Sequence, residues 1–179
     1  MAEPRLVRGL SIAHLHAFYL SLLLLPTSFC ADYSFDAIPL VESLTDPRLV
    51  WTAASYAAVA ALVVWAAIGA LVRAESAAAF VFVLVAWAGA AFLPFSNLIF
   101  YVGTMVGERL LYIPSAAFCA VVAWVALGRS ELDRSRLKPG VGIVAVVLVA
   151  IWWGSTAWDR NKAWENEEEL FWAAGTDGV

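Results

Sequence analysis

The sequence predicts an all-α membrane protein, a polytopic bundle of about five transmembrane helices. Of its 179 residues, 63% are hydrophobic and only 15% are charged. A water-soluble domain of this length needs many more charged groups on its surface, whereas lipid tolerates apolar side chains on every face of a helix. The apolar residues also fall into five runs of roughly bilayer length. Together these observations exclude an ordinary soluble fold.

Each apolar run approaches the ~20 residues that an α-helix needs to cross the hydrocarbon core. Charged residues, Pro, Gly and Asn are concentrated between the runs, as is typical of loops. The transmembrane domain therefore covers residues 1–158, and residues 159–179 form a tail with a helical period. The predicted spans are residues 10–30, 51–72, 77–95, 110–128 and 141–158.

Basic residues in the short loops predict the orientation of the chain, because Lys and Arg are retained on the cytoplasmic side. One side carries only Arg48 and Arg109 before the tail. We therefore expect a cytoplasmic N-terminus, non-cytoplasmic loops at 31–50 and 94–109, and a tail on the non-cytoplasmic side. The opposite side carries Arg5, Arg8, Arg73, Arg129, Arg134, Arg136 and Lys138.

Small residues are concentrated in the second and third spans, which contain several Ala-Ala pairs and the stretch 86–91, Ala-Trp-Ala-Gly-Ala-Ala. Small side chains allow helix backbones to approach closely in lipid. The pattern predicts that these two helices pack tightly, and such packing by itself carries no functional message.

An acidic loop follows the first span and contains two candidate catalytic residues, Asp32 and Asp36. Glu42 and Asp46 add two more carboxylates, with only Arg48 to balance them. Such carboxylates could bind a divalent cation that neutralises a phosphate leaving group, or could deprotonate an acceptor hydroxyl. The alternative, which spacing alone favours, is a solvated loop in which Asp32 or Asp36 caps a short interfacial helix.

A second candidate site lies at the start of the fourth span, where Glu108 and Arg109 precede an uncharged helix. Charge at the membrane edge is costly and persists mainly when it is paired or faces a polar cavity or a lipid headgroup. The planar guanidinium of Arg109 matches a phosphate, and Tyr112 would lie on the same helical face. These three residues could bind a lipid phosphate. The alternative is that Arg109 extends to the interface beside Glu108.

His14 and His16 are two residues apart, so on a helix they point to nearly opposite faces and cannot share one metal ion. No zinc site is predicted, and hydrogen bonding at the interface or between helices is favoured instead.

The net charge of −4 argues against a nucleic-acid partner. The acidic tail is typical of a solvated helix face.

Four separated blocks of the chain resemble one known family. Their order and spacing are similar to those of the transmembrane and tetratricopeptide-repeat (TMTC) proteins, a family of protein O-mannosyltransferases. The resemblance covers most of the chain. The blocks are Leu22–Pro26; Asp32–Ser34 with Ile38–Leu40; Gly107–Ser115; and Arg160-Asn161 with Trp164 and Glu169–Phe171.

The resemblance implies a multi-span protein of the endoplasmic reticulum with part of the type-C glycosyltransferase fold. Such enzymes transfer mannose from dolichyl-phosphate mannose to Ser or Thr of lumenal and secretory-pathway proteins. Arg109 and Tyr112 would suit the donor phosphate, and whether a divalent metal takes part stays open. The resemblance further implies that the family's acidic catalytic motif lies upstream of Met1, that the repeats lie beyond Val179, and that this segment alone is inactive.

Two other functions are compatible with the residues. The chain could be a non-catalytic membrane scaffold whose tail recruits a partner. A small transporter or channel has less support, because the spans contain neither a buried ionisable relay nor paired broken helices.

Overall fold

A computed structural model describes residues 5–25, 33, 38–100, 106–126 and 139–163 of the chain. Within these ranges the regular structure is entirely helical, with no β-strand, which confirms the all-α class. Short 3₁₀ helices follow α3 and precede α4, at Leu93–Phe95 and Glu108–Leu111. The α-helices are α1, Arg5–Leu24; α2, Arg48–Leu71; α3, Ser76–Phe92; α4, Tyr112–Ala126; and α5, Pro139–Ala163.

Within the described part of the chain, four helical segments are long and apolar enough to cross a bilayer, with mean hydropathies from 1.3 to 2.2. Helix α4 is described over 15 residues, so the predicted span 110–128 ends outside the described residues. Many large apolar side chains on α2, α3 and α5 are exposed, a surface that suits lipid and not water. The protein is therefore a multi-pass membrane protein. The four segments are Arg5–Leu24, Arg48–Leu71, Ser76–Phe95 and Gly142–Asp159.

Helices α2 and α3 form a tight antiparallel hairpin, as the small residues predict. Ala66 and Ala78 are completely buried between them. A Cβ added at Gly69 would overlap the Cβ of Ala78, so the two backbones approach as closely as glycine allows. The connection is a short turn in which Ala74 adopts a left-handed conformation, with φ of 52°.

Helix α3 packs against both α2 and α4, which makes these three helices a layer. The ring of Phe80, near the start of α3, contacts the ring of Trp124, near the end of α4, so α3 and α4 are antiparallel. As a result, α2 begins, α3 ends and α4 begins at the same end of the layer. We call this the Ser96 end, and the opposite end, where α2 and α3 are joined, the Arg73 end.

The buried hydrophobic cluster lies at the Ser96 end rather than in the middle of the bundle. It joins α1 to the loops on either side of the layer. Because this cluster fixes the loop before α4, it positions the residues of the candidate site. Its members are Leu15, Tyr19, Leu22, Tyr33, Ile38, Val106 and Leu111, with Phe18, Leu23 and Phe92 packed against them.

Candidate functional site

The candidate site is built on the 3₁₀ helix that leads into α4, which together with its flanking residues 107 and 112 we call the Arg109 turn. The backbone N–H of Leu110 donates to the carbonyl of Gly107 at 2.9 Å. The N–H of Tyr112 donates to the carbonyl of Arg109. A 3₁₀ helix has three residues per turn, so Arg109 and Tyr112 lie on the same side of it.

Two buried tyrosines hold the Arg109 turn against α1 and the first loop. The hydroxyl of Tyr19, on α1, accepts a hydrogen bond from the N–H of Gly107 at 2.9 Å. The hydroxyl of Tyr33 donates to Oε1 of Glu108 at 2.7 Å. Both tyrosines are 3% exposed, and a buried phenol normally requires such a partner. Glu108 therefore faces inward and fixes the turn.

Arg109 and Tyr112 face outward. Arg109 is exposed and makes no hydrogen bond or ion pair with another described residue, Glu108 included. Tyr112 is 83% exposed. The guanidinium and the phenol are thus available to a ligand beside the first turn of α4. Binding of a donor phosphate by Arg109, Glu108 and Tyr112 stays a prediction.

Comparison with known proteins identifies the family. The family model described as protein O-mannosyl-transferase TMTC, DUF1736, matches residues 1–60. The chain is 31% identical over 171 residues to protein O-mannosyl-transferase TMTC4 of Mus musculus, covering 95% of this chain and 22% of that protein. It is 34% identical over 168 residues to TMTC1 of Homo sapiens, covering 93% of this chain and 18% of that protein.

This chain belongs to the TMTC protein O-mannosyl-transferase family. It spans about a fifth of the length of the curated relatives that it matches. No solved structure matches the chain, so the type-C glycosyltransferase fold stays a prediction.

Part of the acidic loop after α1 is described, and there the carboxylate of Asp46 has a structural role. It is 2.7 Å from the guanidinium of Arg48 and also accepts a hydrogen bond from the backbone N–H of Arg48, the first residue of α2. Arg48 additionally donates to the carbonyls of Pro39 and Leu40 at 2.7 and 3.0 Å. The hydrogen bonds that the Asp46 carboxylate accepts from the side chain and the backbone N–H of Arg48 lower the pKa of Asp46 to about 2. Asp46 and Arg48 therefore fasten the loop to α2.

The two candidate catalytic residues of this loop, Asp32 and Asp36, lie outside the described residues, and their roles stay predictions. Tyr33, which follows Asp32 in the sequence, is described, and its hydroxyl donates a hydrogen bond to Glu108. Across the described ranges, no group of three or more His, Cys, Asp or Glu side chains is arranged to hold a metal ion.

The two histidines of α1 join helices, which confirms that they serve in hydrogen bonding. Nδ1 of His14 is 3.1 Å from Oγ1 of Thr52, whose own proton is directed to the carbonyl of Arg48. His14 is therefore the donor in this pair. Nε2 of His16 donates to the carbonyl of Ser96 at 2.7 Å, so in the neutral ring Nδ1 accepts from the hydroxyl of Tyr56 at 2.6 Å.

Sequence reasoning missed the residues that support the Arg109 turn, because their partners are far away in the chain. Tyr19 is 88 residues from Gly107, and Tyr33 is 75 residues from Glu108. The available signal was the unusual number of polar side chains in the first apolar run. Buried polar groups in a membrane protein need partners, so they predict contacts without naming them. These residues are Ser11, His14, His16, Tyr19 and Ser21.

Proposed function

We propose that this chain is part of an endoplasmic-reticulum protein O-mannosyltransferase that uses dolichyl-phosphate mannose and acts on Ser or Thr of lumenal proteins. The names of the relatives support the transfer of mannose to protein. A multi-pass bundle suits a donor whose sugar is carried on a membrane lipid, because the reacting group is then held at the bilayer surface. The observation that carries the proposal is Arg109 beside α4. Its side chain is exposed and has no partner among the described residues, in a chain similar to these transferases along most of its length.

The chemistry of transfer explains why a guanidinium is useful here. The oxygen of the acceptor hydroxyl forms a bond to C1 of mannose, the bond from C1 to the phosphate oxygen breaks, and the hydroxyl proton passes to a base. The departing dolichyl phosphate gains negative charge. Arg109 would stabilise that charge through two parallel N–H donors, and the Tyr112 hydroxyl would donate a further hydrogen bond.

Glu108 would contribute by position. Its carboxylate accepts a hydrogen bond from the hydroxyl of buried Tyr33 and thereby orients the Arg109 turn. A carboxylate placed against a phosphate would repel it, so an inward-facing Glu108 beside an outward-facing Arg109 suits anion binding. Within this chain, Asp32 and Asp36 are the candidates for the base that receives the acceptor proton, beside the acidic motif that the family resemblance implies upstream of Met1.

The Ser96 end would lie in the lumen. The turn at the opposite end carries Arg73, and the loop before α5 carries four more basic residues, a pattern that favours the cytoplasm. The Arg109 turn would then meet lumenal acceptor proteins, and the tail after α5 would emerge on the lumenal side. The four basic residues are Arg129, Arg134, Arg136 and Lys138.

The test compares Arg109→Ala with Arg73→Ala in the full-length protein reconstituted with dolichyl-phosphate mannose and an acceptor peptide. Arg73 is a matched control, because its side chain is 61% exposed at the other end of the layer. We expect Arg109→Ala to reduce transfer about tenfold or more, since one charge-assisted contact is worth roughly 1.5–3 kcal/mol. Transfer unchanged by Arg109→Ala would remove this residue from the site, and absence of transfer by the wild-type protein would refute the activity.

A further inference from the structure

The contacts of α1 lie at one end of the helix layer. Along α1, His14 bonds Thr52 in the first turns of α2, and His16 bonds Ser96 after α3. Further along, Tyr19 packs on Phe92 at a distance of 5.0 Å between ring centroids and bonds Gly107 before α4. From its start to its end, α1 thus meets α2, α3 and α4 in turn, each at the Ser96 end.

The direction of these contacts does not fit a spanning hairpin of α1 and α2. In an antiparallel pair, later residues of α1 would meet earlier residues of α2. Instead His14 contacts Thr52 and His16 contacts Tyr56. At this contact the residue numbers therefore increase in the same direction along both helices.

The loop before α2 also returns along α1. The N–H of Val41 donates to Oγ of Ser11 at 3.0 Å. Ser11 is thirteen residues before the end of α1 at Leu24, a distance of ~20 Å along the helix axis. The chain therefore enters α2 beside the middle of α1 and not beside its end.

The length of α1 agrees with a helix that lies across the Ser96 end of the layer formed by α2, α3 and α4. From Ser11 to Leu22 the axis of α1 advances ~16 Å. Two interhelical spacings, from α2 to α3 and from α3 to α4, amount to ~16–20 Å. A helix that lies across the end of the layer can therefore reach all three helices with this stretch of residues.

We propose that α1 does not cross the bilayer but lies in its surface, as an interfacial helix that covers the Ser96 end of the layer. It has the lowest mean hydropathy of the four candidate spans, 1.3. Its hydroxyl and imidazole groups bond the ends of other helices, while exposed Leu6 and Leu24 can enter the acyl boundary. Arg5 and Arg8, both exposed, lie where phospholipid headgroups would contact them.

This placement changes the predicted topology at one point. Residues before α1 would lie on the same side as the Ser96 end, whereas the sequence prediction put the N-terminus on the other side. Arg73 and the four basic residues between α4 and α5 in the sequence would still outnumber Arg5, Arg8, Arg48 and Arg109. The directions of α2 to α5 and the side of the tail stay as predicted.

Thiol labelling of the full chain in sealed microsomes tests the proposal. Three single-cysteine variants, Arg8→Cys, Leu44→Cys and Arg73→Cys, are made after Cys30 and Cys119 have been replaced by Ser. Leu44 is 69% exposed in the loop at the Ser96 end, and Arg73 marks the opposite end. Each variant is treated with a membrane-impermeant maleimide before and after the membrane is permeabilised.

We expect Arg8→Cys to behave as Leu44→Cys does and opposite to Arg73→Cys. Labelling of Arg8→Cys together with Arg73→Cys would show that α1 spans the membrane and would overturn the proposal. Absence of Arg8→Cys labelling both before and after permeabilisation, with labelling only once detergent has dissolved the bilayer, would place it in the hydrocarbon and would overturn the proposal as well. The comparison does not depend on which side is the lumen, so it can fail while the proposed transferase activity stands.

Discussion

The hydroxyl of Tyr19 lies 2.9 Å from the backbone nitrogen of Gly107 and accepts its hydrogen bond across 88 residues of sequence. We expect Tyr19→Phe to destabilise the protein by ~1–3 kcal/mol, because the N–H of Gly107 would lose its buried partner. In the full-length protein the same change should weaken donor binding several-fold, since the Arg109 turn would be less rigid.

The control for this prediction is Ser21→Ala, because among the described residues the hydroxyl of Ser21 bonds within α1 alone, to the carbonyl of Phe18 at 2.7 Å. Thermal unfolding in detergent and titration with the donor lipid give the two readouts. Equal stability and equal donor affinity in Tyr19→Phe and the wild type would contradict an anchoring role.

His16 and Tyr56 should be energetically coupled. Tyr56→Phe removes one hydrogen bond and should cost ~0.5–1.5 kcal/mol, and His16→Ala should cost more because Ser96 also loses its donor. A double-mutant cycle measured by thermal unfolding should show that the two effects are less than additive. His14→Ala combined with Tyr56→Phe is the control and should be additive. A strictly additive His16 and Tyr56 cycle would show that the 2.6 Å contact contributes nothing.

The hairpin of α2 and α3 should depend on the absence of a side chain at Gly69. Gly69→Ala places a Cβ against that of Ala78, and we expect a loss of ~1–3 kcal/mol from overpacking. Gly89→Ala is the matched control, because nothing lies within 4 Å of its added Cβ. That change should stabilise its helix by ~0.5–1 kcal/mol. Adding Ala78→Gly to Gly69→Ala should restore part of the lost stability, and failure of this rescue would locate the strain elsewhere.

The ion pair of Asp46 and Arg48 should make stability depend on pH in the acid range. The pKa of Asp46 is about 2 in the folded protein, against the ordinary Asp value of 3.8. A lowered carboxyl pKa stabilises the folded state fully above the unfolded value, and this contribution is lost as the pH falls from about 4 to 2. We expect the melting temperature of the wild type to fall between about pH 4 and 2. In Asp46→Asn this part of the fall should be absent when melting temperatures are recorded between pH 2 and 6. An identical pH dependence in the variant and the wild type would rule out the pair as its source.

The sequence was sufficient to predict those features that are local. Pro94 and the polar residues after it mark the end of α3, and the small residues predict the close approach at Gly69 and Ala78. Each depends on residue type and period, which are visible in one segment at a time.

Features that depend on tertiary contacts could not be predicted in the same way. The sequence indicates Arg48 only as the counter-charge of an acidic loop, yet its guanidinium donates to two loop carbonyls and pairs with Asp46 at the start of α2. The orientation of α1 is a further example, since a helix in the membrane surface and one that crosses it can share length and hydropathy. In the Arg109 turn, the sequence predicted three site residues, but not that Glu108 faces inward while Arg109 and Tyr112 face outward.

The most direct test of the central claim is the dissociation constant of dolichyl-phosphate mannose for the reconstituted full-length protein and its Arg109 variants. We predict that Arg109→Ala weakens binding by about tenfold or more and that Arg109→Lys, which keeps the charge but not the planar fork, gives an intermediate loss. Arg73→Ala should bind as the wild type does. Equal affinity in the wild type and Arg109→Ala would contradict the assignment of the donor phosphate to the Arg109 turn.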